Sequence, residues 1–180
     1  MNNIRIIPTL HIKGQNVVKP IQTEALRVVG NPKELADKYY KDGADEIIYL
    51  DIVASLYQRS FDFDLLKTVS RDIFVPFTVG GGIRTIRDIK NALRVGADKV
   101  AINTYAIKDP DFLAEAASIF GSQCIVLFIE AKKIGENKWE AYTDGGREKT
   151  GVDVVEWAKK AVGLGVGEIL ITSIDRDGTK

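Results

Sequence analysis

Six short apolar runs alternate with five longer amphipathic segments along the 180-residue chain, and this alternation restricts the folds that it can adopt. Apolar runs rich in β-branched residues are typical of parallel strands that are buried on both faces. Amphipathic segments between such runs predict helices that cover the sheet. The predicted strands are 5–11, 46–51, 74–80, 99–103, 125–130 and 168–173. The predicted helices are 32–41, 64–72, 86–95, 110–120 and 152–164.

An internal repeat favours a (β/α)8 TIM barrel over a doubly wound open sheet. His11 and Glu130 each end an apolar run two residues before a lysine, 119 residues apart, and segments 45–50 and 167–172 repeat at a similar offset. Half of a barrel of about 250 residues spans a similar length. The Gly-x-Gly-x-x-Gly fingerprint of a dinucleotide-binding sheet does not follow the first strand. We therefore predict that residues 1–180 form one incomplete barrel domain of about six βα units, either a fragment or completed by another chain.

Composition restricts the partners and cofactors that we expect. The 25 basic residues balance the 25 acidic residues, so the chain has no overall attraction to nucleic acid or to a membrane surface. A short hairpin is predicted over residues 131–143, around a Gly-Glu-Asn turn. One histidine and one cysteine lie far apart, so we predict no metal site and no cofactor. These features are typical of a cytoplasmic protein that binds a small molecule.

Polar and glycine residues follow several predicted strands, at the edge where barrel enzymes bind substrate. Consecutive glycines before a helix let backbone N–H groups approach a phosphate, although tight loop packing alone can also require them. Asp51, at the end of the second strand, either faces the pocket or caps its loop. His11 and Glu130 could act as acid and base from opposite sides of one pocket. The other candidate substrate- and phosphate-binding residues are Thr78, Gly81, Gly82, Asn103, Thr104, Asp177 and Gly178.

Four charged residues lie near the starts of predicted strands, at the opposite end of the barrel. They are Arg5, Glu46, Lys99 and Glu168. Two acids and two bases can close a charge-neutral ring, and residues at this end of a barrel usually serve stability. Since buried ion pairs add little net stability, a functional gate is the alternative. Position alone favours the structural interpretation.

Several segments resemble the cyclase subunit of imidazole glycerol phosphate synthase over the whole chain. They are residues 50–55, 78–84, 96–100, 120–123 and, most specifically, 167–179. The resemblance implies a barrel with a glutaminase subunit on its bottom face, as a heterodimer. Ammonia would pass a gate of Arg5, Glu46, Lys99 and Glu168 and react at the top with a bis-phosphorylated ribotide. It also implies that Lys19 lies on a mobile first loop near the substrate.

Two departures from that family concern the catalytic positions, where the family has aspartate. Glu130 is longer by one methylene, and a misplacement of about 1 Å can cost a hundredfold in rate. His11, with an ordinary pKa near 6.5, cannot supply a fixed negative charge. Residues 13–16 and Ala101 also differ from the usual residues of the family. The pattern resembles a divergent branch of the family that is associated with surface-polysaccharide genes.

Three functional hypotheses remain open from the sequence. The favoured one is a barrel subunit of a glutamine-dependent amidotransferase, conducting ammonia to a phosphorylated or sugar acceptor in surface-polysaccharide synthesis. The first alternative is an active cyclase of histidine biosynthesis, with His11 and Glu130 as acid and base. The second alternative is a truncated, non-catalytic scaffold. The first hypothesis needs the gate alone, and the cyclase needs the gate and the acid/base pair.

Overall fold

A computed structural model of the chain describes residues 4–59 and 61–179. These residues form ten strands, six α-helices and one short 3₁₀-helix, Ser122–Cys124. The strands are β1 (Thr9–Lys13), β2 (Asn16–Ile21), β3 (Glu24–Gly30), β4 (Ile47–Asp51), β5 (Phe77–Gly80), β6 (Lys99–Ile102), β7 (Ile125–Gly135), β8 (Lys138–Thr143), β9 (Glu148–Asp153) and β10 (Glu168–Ser173). The helices are α1 (Pro32–Lys41), α2 (Phe63–Ser70), α3 (Ile86–Arg94), α4 (Thr104–Lys108), α5 (Asp111–Phe120) and α6 (Val154–Gly163).

Six of the strands lie side by side in a parallel sheet, in the order β1-β4-β5-β6-β7-β10. Antiparallel strands extend the sheet at two places: β2 and β3 continue beyond β1, and β8 and β9 pair along the second half of β7. Among the described residues the sheet does not close on itself. The alternating βα order confirms the predicted α/β fold class with six βα units.

Prolines shorten two of the predicted strands at their starts. The first strand begins at Thr9 rather than at residue 5, directly after Pro8, and the third begins at Phe77, directly after Pro76. Proline has no N–H group to donate to the sheet, so it is confined to strand ends and edges. The carbonyl of Pro8 accepts a hydrogen bond from the amide of Ile48, and the carbonyl of Pro76 accepts one from the amide of Ile47. Each proline therefore lies where its strand begins to pair with β4.

Helix boundaries agree with the prediction to within two residues because the capping residues are local. Asn31 caps α1 by accepting hydrogen bonds from the amides of Lys33 and Glu34. Thr85 and Asp88 form a reciprocal capping box at the start of α3. No helix among the described residues is long and apolar enough to cross a lipid bilayer.

Two hairpins arise from the loops after the first and fifth barrel strands. The predicted hairpin over residues 131–143 is confirmed as the pair β7–β8. No strand was assigned between residues 11 and 32 from the sequence, but residues 16–30 form the antiparallel pair β2–β3. Val17, Val18 and Pro20 of β2 are buried, whereas the other three residues of the strand are exposed.

The concave face of the parallel sheet changes character from the amino ends of its strands to the carboxyl ends. Side chains alternate between faces along a strand, so the series Lys99, Ala101 and Asn103 runs along one face. Ala101 belongs to a small buried apolar cluster in the middle of that face, while the main core lies between the sheet and the helices. The other buried members of this middle layer are Ile48, Leu50 and Val126. Charged residues therefore lie at one end of the concave face and polar residues at the other.

Candidate functional site

The four charged residues predicted near the strand starts meet in one cluster at the amino ends of the strands. Arg5 contacts Glu46 at 3.1 Å and Glu168 at 3.3 Å through its two terminal nitrogens. Lys99 Nζ lies 2.8 Å from Glu46 Oε2 and 2.9 Å from Glu168 Oε1. Thr78 Oγ1 donates to Glu46 Oε1 at 2.6 Å. The Glu46 carboxylate is 1% exposed and is therefore fully committed to this cluster.

Mutual contacts keep the cluster ionised. Burial opposes the charge of Lys99, but its hydrogen bonds to the carboxylates of Glu46 and Glu168 outweigh that effect and raise its pKa. Burial likewise opposes the charge of Glu168, yet hydrogen bonds from Lys99 and Arg5 together lower its pKa. At neutral pH both Lys99 and Glu168 therefore carry their charge.

A cavity of about 370 Å³ opens at the carboxyl ends of the strands. The predicted residues that line it are Asp51, Gly81, Gly82, Asn103, Thr104 and Glu130. Gly81 and Gly82 have φ angles of +99° and +73°, which only glycine adopts readily. A side chain at Gly81 would also collide with the backbone carbonyl of Asp51. The turn therefore needs glycine for its own packing, whether or not it also binds a ligand.

Asp51 is held by its own loop at the edge of this cavity. Its Oδ2 pairs with Arg59 at 2.6 Å, and its Oδ1 accepts from the amide of Val53 at 3.2 Å. Burial raises the pKa of Asp51, and the Arg59 guanidinium offsets only part of that rise. Both interpretations of Asp51 therefore describe the structure: it caps the loop and it faces the cavity.

Glu130 lies on the concave face of β7, near the carboxyl ends of the parallel strands. Hydrogen-bond donors from two other parts of the chain hold its carboxylate. Its Oε2 accepts from Asn103 Nδ2 at 2.8 Å and from the backbone amide of Gly146 at 3.1 Å. Burial is the largest influence on this carboxyl, and it raises the pKa to about 7, whereas the Gly146 amide pulls the pKa down. Thr104 Oγ1 accepts from the amide of Asp144, which ties the same turn to α4.

His11 and Glu130 line a second, smaller cavity of about 20 Å³, roughly enough for one water molecule. Burial lowers the pKa of His11, and the nearby Asp177 carboxylate offsets this only in part. Burial therefore favours the neutral form of both groups, the unprotonated imidazole of His11 and the protonated carboxyl of Glu130. The two candidate catalytic groups, from β1 and β7, thus line one small cavity beside the larger one.

Other candidates lie away from the two cavities or serve another contact. Lys19 is exposed on β2 and lines neither cavity. Thr78 joins the charged cluster at the opposite end of the sheet. Asp177 lines the small cavity, but its backbone oxygen and side chain also accept from the amides of Gln22 and Thr23. Gly178 packs against the backbone of Pro20, so the predicted second phosphate cradle holds the β2–β3 hairpin in this structure.

Several residues of the site were not predicted from the sequence. Thr172 and Arg147 line the small cavity, and Gly146 donates to Glu130. Thr172 was accessible to sequence reasoning, since it follows Glu168 by four residues and shares its face of β10. Arg147 and Gly146 lie in the turn between β8 and β9. Only the antiparallel pairing of β7, β8 and β9 brings that turn close to Glu130.

Comparison with known proteins agrees with this arrangement over the whole chain. The profile of the family described as "Histidine biosynthesis protein" matches residues 5–180. "Imidazole glycerol phosphate synthase subunit HisF" of Legionella pneumophila is 54% identical over 180 residues, which is 100% of this chain and 85% of that protein. The protein of the same name from Endomicrobium trichonymphae is 50% identical over 180 residues, covering 100% of this chain and 69% of that protein. The chain therefore belongs to the histidine biosynthesis protein family and is HisF-like.

Proposed function

We propose that this chain acts as the cyclase subunit of an imidazole glycerol phosphate synthase. The observation that carries the proposal is the pair His11 and Glu130, which face one small cavity next to the larger one. A carboxyl group with a pKa of about 7 exchanges protons efficiently near neutral pH, and a neutral imidazole can accept one. The pair therefore supports acid/base chemistry in spite of the two departures from aspartate.

The hydrogen bonds of Glu130 explain how a side chain longer than aspartate can still transfer a proton. Both donors bind Oε2, and Oε1 accepts no hydrogen bond from the described residues. One oxygen is thus fixed and the other is available for proton transfer. In this proposal Glu130 is the general acid or base on one side of the substrate, and His11 serves on the other.

The larger cavity supports binding of a phosphorylated small molecule. Its volume of about 370 Å³ lies within the usual range for ligand pockets. The amides of Gly81 and Gly82, together with Thr104 at the start of α4, would face one phosphate. Asp177, Gly178 and Lys19 would approach the second phosphate once the β2–β3 hairpin moves from its present contact.

The charged cluster and the apolar middle layer support delivery of ammonia from the opposite face. Arg5, Glu46, Lys99 and Glu168 would form the gate, and the apolar layer would separate it from the cavities. The relatives are named as subunits, so a glutaminase partner is expected on the amino-end face. Ile4, Ile6 and Phe74 lie just before β1 and β5 and are 88%, 67% and 80% exposed, which supports a partner there.

The comparisons reverse the order of the hypotheses drawn from the sequence. Relatives at 54% and 50% identity carry the name of the histidine-pathway subunit, and that favours the cyclase. The ammonia-conducting subunit for a different acceptor, as in surface-polysaccharide synthesis, becomes the second candidate. The presence of His11, where the cyclase family has aspartate, is the feature that favours it.

A cyclase assay with free ammonium salt separates the two candidates, since it needs no glutaminase. The bis-phosphorylated formimino ribotide is supplied at mildly alkaline pH, and its loss is followed by absorbance. We expect turnover on the order of 1 s⁻¹, a loss of at least a hundredfold in Glu130→Gln, and unchanged turnover in the exposed control Glu156→Gln. Absence of turnover in folded protein would favour the ammonia-conducting candidate.

A further inference from the structure

The side-chain amide of Asn103 joins two elements at the carboxyl end of the sheet. Asn103 follows β6, and its Nδ2 donates to Glu130 Oε2 at 2.8 Å on β7 and to the carbonyl of Tyr142 at 3.2 Å on β8. Both hydrogens of the amide are therefore used within the protein. Such a residue has no free donor left for a phosphate group.

The acceptor side of the same amide shows which contact fixes its orientation. Asn103 Oδ1 is buried and has no hydrogen-bond partner among the described residues. The reversed orientation would place Oδ1 against two acceptors, the Glu130 carboxylate and the Tyr142 carbonyl, so it is excluded. In this orientation both N–H donors of the amide are paired and Oδ1 is unpaired. Of the two hydrogen bonds, the one to the Glu130 carboxylate is the stronger, because a carboxylate is a better acceptor than a backbone carbonyl.

We propose that Asn103 is a positioning residue for Glu130 rather than a phosphate ligand: its amide fixes Oε2 and leaves Oε1 toward the cavity. This inference rests on the proposed function in assigning proton transfer to Glu130. The amide of Gly146 is the second donor and approaches from the turn between β8 and β9. Two donors from two elements determine where the longer side chain points.

Charged groups from several elements also face Glu130 and set the background for this contact. Asp144 raises the pKa of the carboxyl and Arg147 lowers it, both from the turn between β8 and β9. His11 on β1 and Asp177 after β10 line the same small cavity. Removal of the Asn103 donor leaves these groups in place, so any change in the pKa of Glu130 reports the lost hydrogen bond.

The test is a ¹³C NMR titration of glutamate side chains in the full chain, without substrate. The Glu130 signal is assigned by its absence in Glu130→Gln. We expect Asn103→Leu to raise the pKa of Glu130 by about one unit, and to move the limb of the cyclase pH profile that Glu130 governs upward by the same amount. Asn103→Ala is the second variant, for the case in which the leucine variant does not fold.

An unchanged Glu130 titration in a folded Asn103 variant would overturn the positioning role. Loss of inorganic phosphate binding together with that unchanged titration would identify Asn103 as a phosphate ligand instead. Because the titration requires no turnover, it remains decisive for Asn103 even if the cyclase assay shows no activity. The two proposals can therefore fail separately.

Discussion

The substitution Lys99→Met tests how strongly the charged cluster depends on its lysine. Lys99 Nζ lies within hydrogen-bond distance of four carboxylate oxygens, at 3.0 and 2.8 Å on Glu46 and at 2.9 and 3.0 Å on Glu168. Methionine fills a similar volume but leaves the Glu46 carboxylate with only Thr78 and the half-exposed Arg5. Breaking a buried pair costs about 3–5 kcal/mol, and we expect about 3 kcal/mol because Arg5 remains.

Urea unfolding at neutral pH, followed by circular dichroism, measures this loss directly. With a slope near 2 kcal/mol per molar, the midpoint should fall by about 1.5 M. The matched control is Lys159→Met, whose pair with Glu156 at 2.9 Å is exposed on both sides, and its midpoint should not change. The double variant Lys99→Met, Glu46→Gln should recover most of the loss, because it removes the unpaired charge. A midpoint for Lys99→Met equal to that of the control would refute the reasoning.

Three further substitutions test the opposite end of the sheet. Because burial raises the pKa of Glu130 from 4.5 to about 7, the folded state binds more protons between these values, and its stability falls as the pH rises through them. Urea unfolding of Glu130→Gln should lack this fall, a difference of roughly 3 kcal/mol between pH 4 and pH 8; parallel pH profiles would contradict it. Gly81→Ala should lower the melting temperature far more than Gly151→Ala, since both positions have positive φ but only Gly81 lacks space for a side chain; equal shifts would refute this. Arg59→Met should raise the pKa of Asp51 further and destabilise the protein more at pH 8 than at pH 5, and a loss that does not depend on pH would exclude the ion pair as its cause.

The fold class was predictable because its determinants are local. Apolar runs over 46–51 and 168–173 predicted β4 and β10 to within one residue. Asn31 caps α1 through contacts with its own first turn, and α1 matches its predicted bounds fully. The β2–β3 hairpin was not predicted, since its pairing depends on cross-strand contacts rather than on a strong apolar alternation.

The site was predictable only in part, because several of its contacts join distant segments. The charged cluster followed from the positions of its residues at strand starts, which parallel pairing then brings together. By contrast, nothing local to Thr78 indicates that its hydroxyl binds Glu46 rather than a ligand. The contact of Asp177 with residues 22 and 23 likewise depends on where the hairpin lies.

The sequence by itself determined the alternation of strands and helices and the end of the sheet at which most of the predicted polar groups lie, although not that of Thr78. These properties depend on near neighbours and on the two-residue period of a strand. Only the tertiary structure decided that Asn103 and Gly146 both bind one oxygen of Glu130, and that His11 shares a cavity with it. Distances, burial and proton affinity at that site arise from segments far apart in the chain, and they exist only once the sheet has formed.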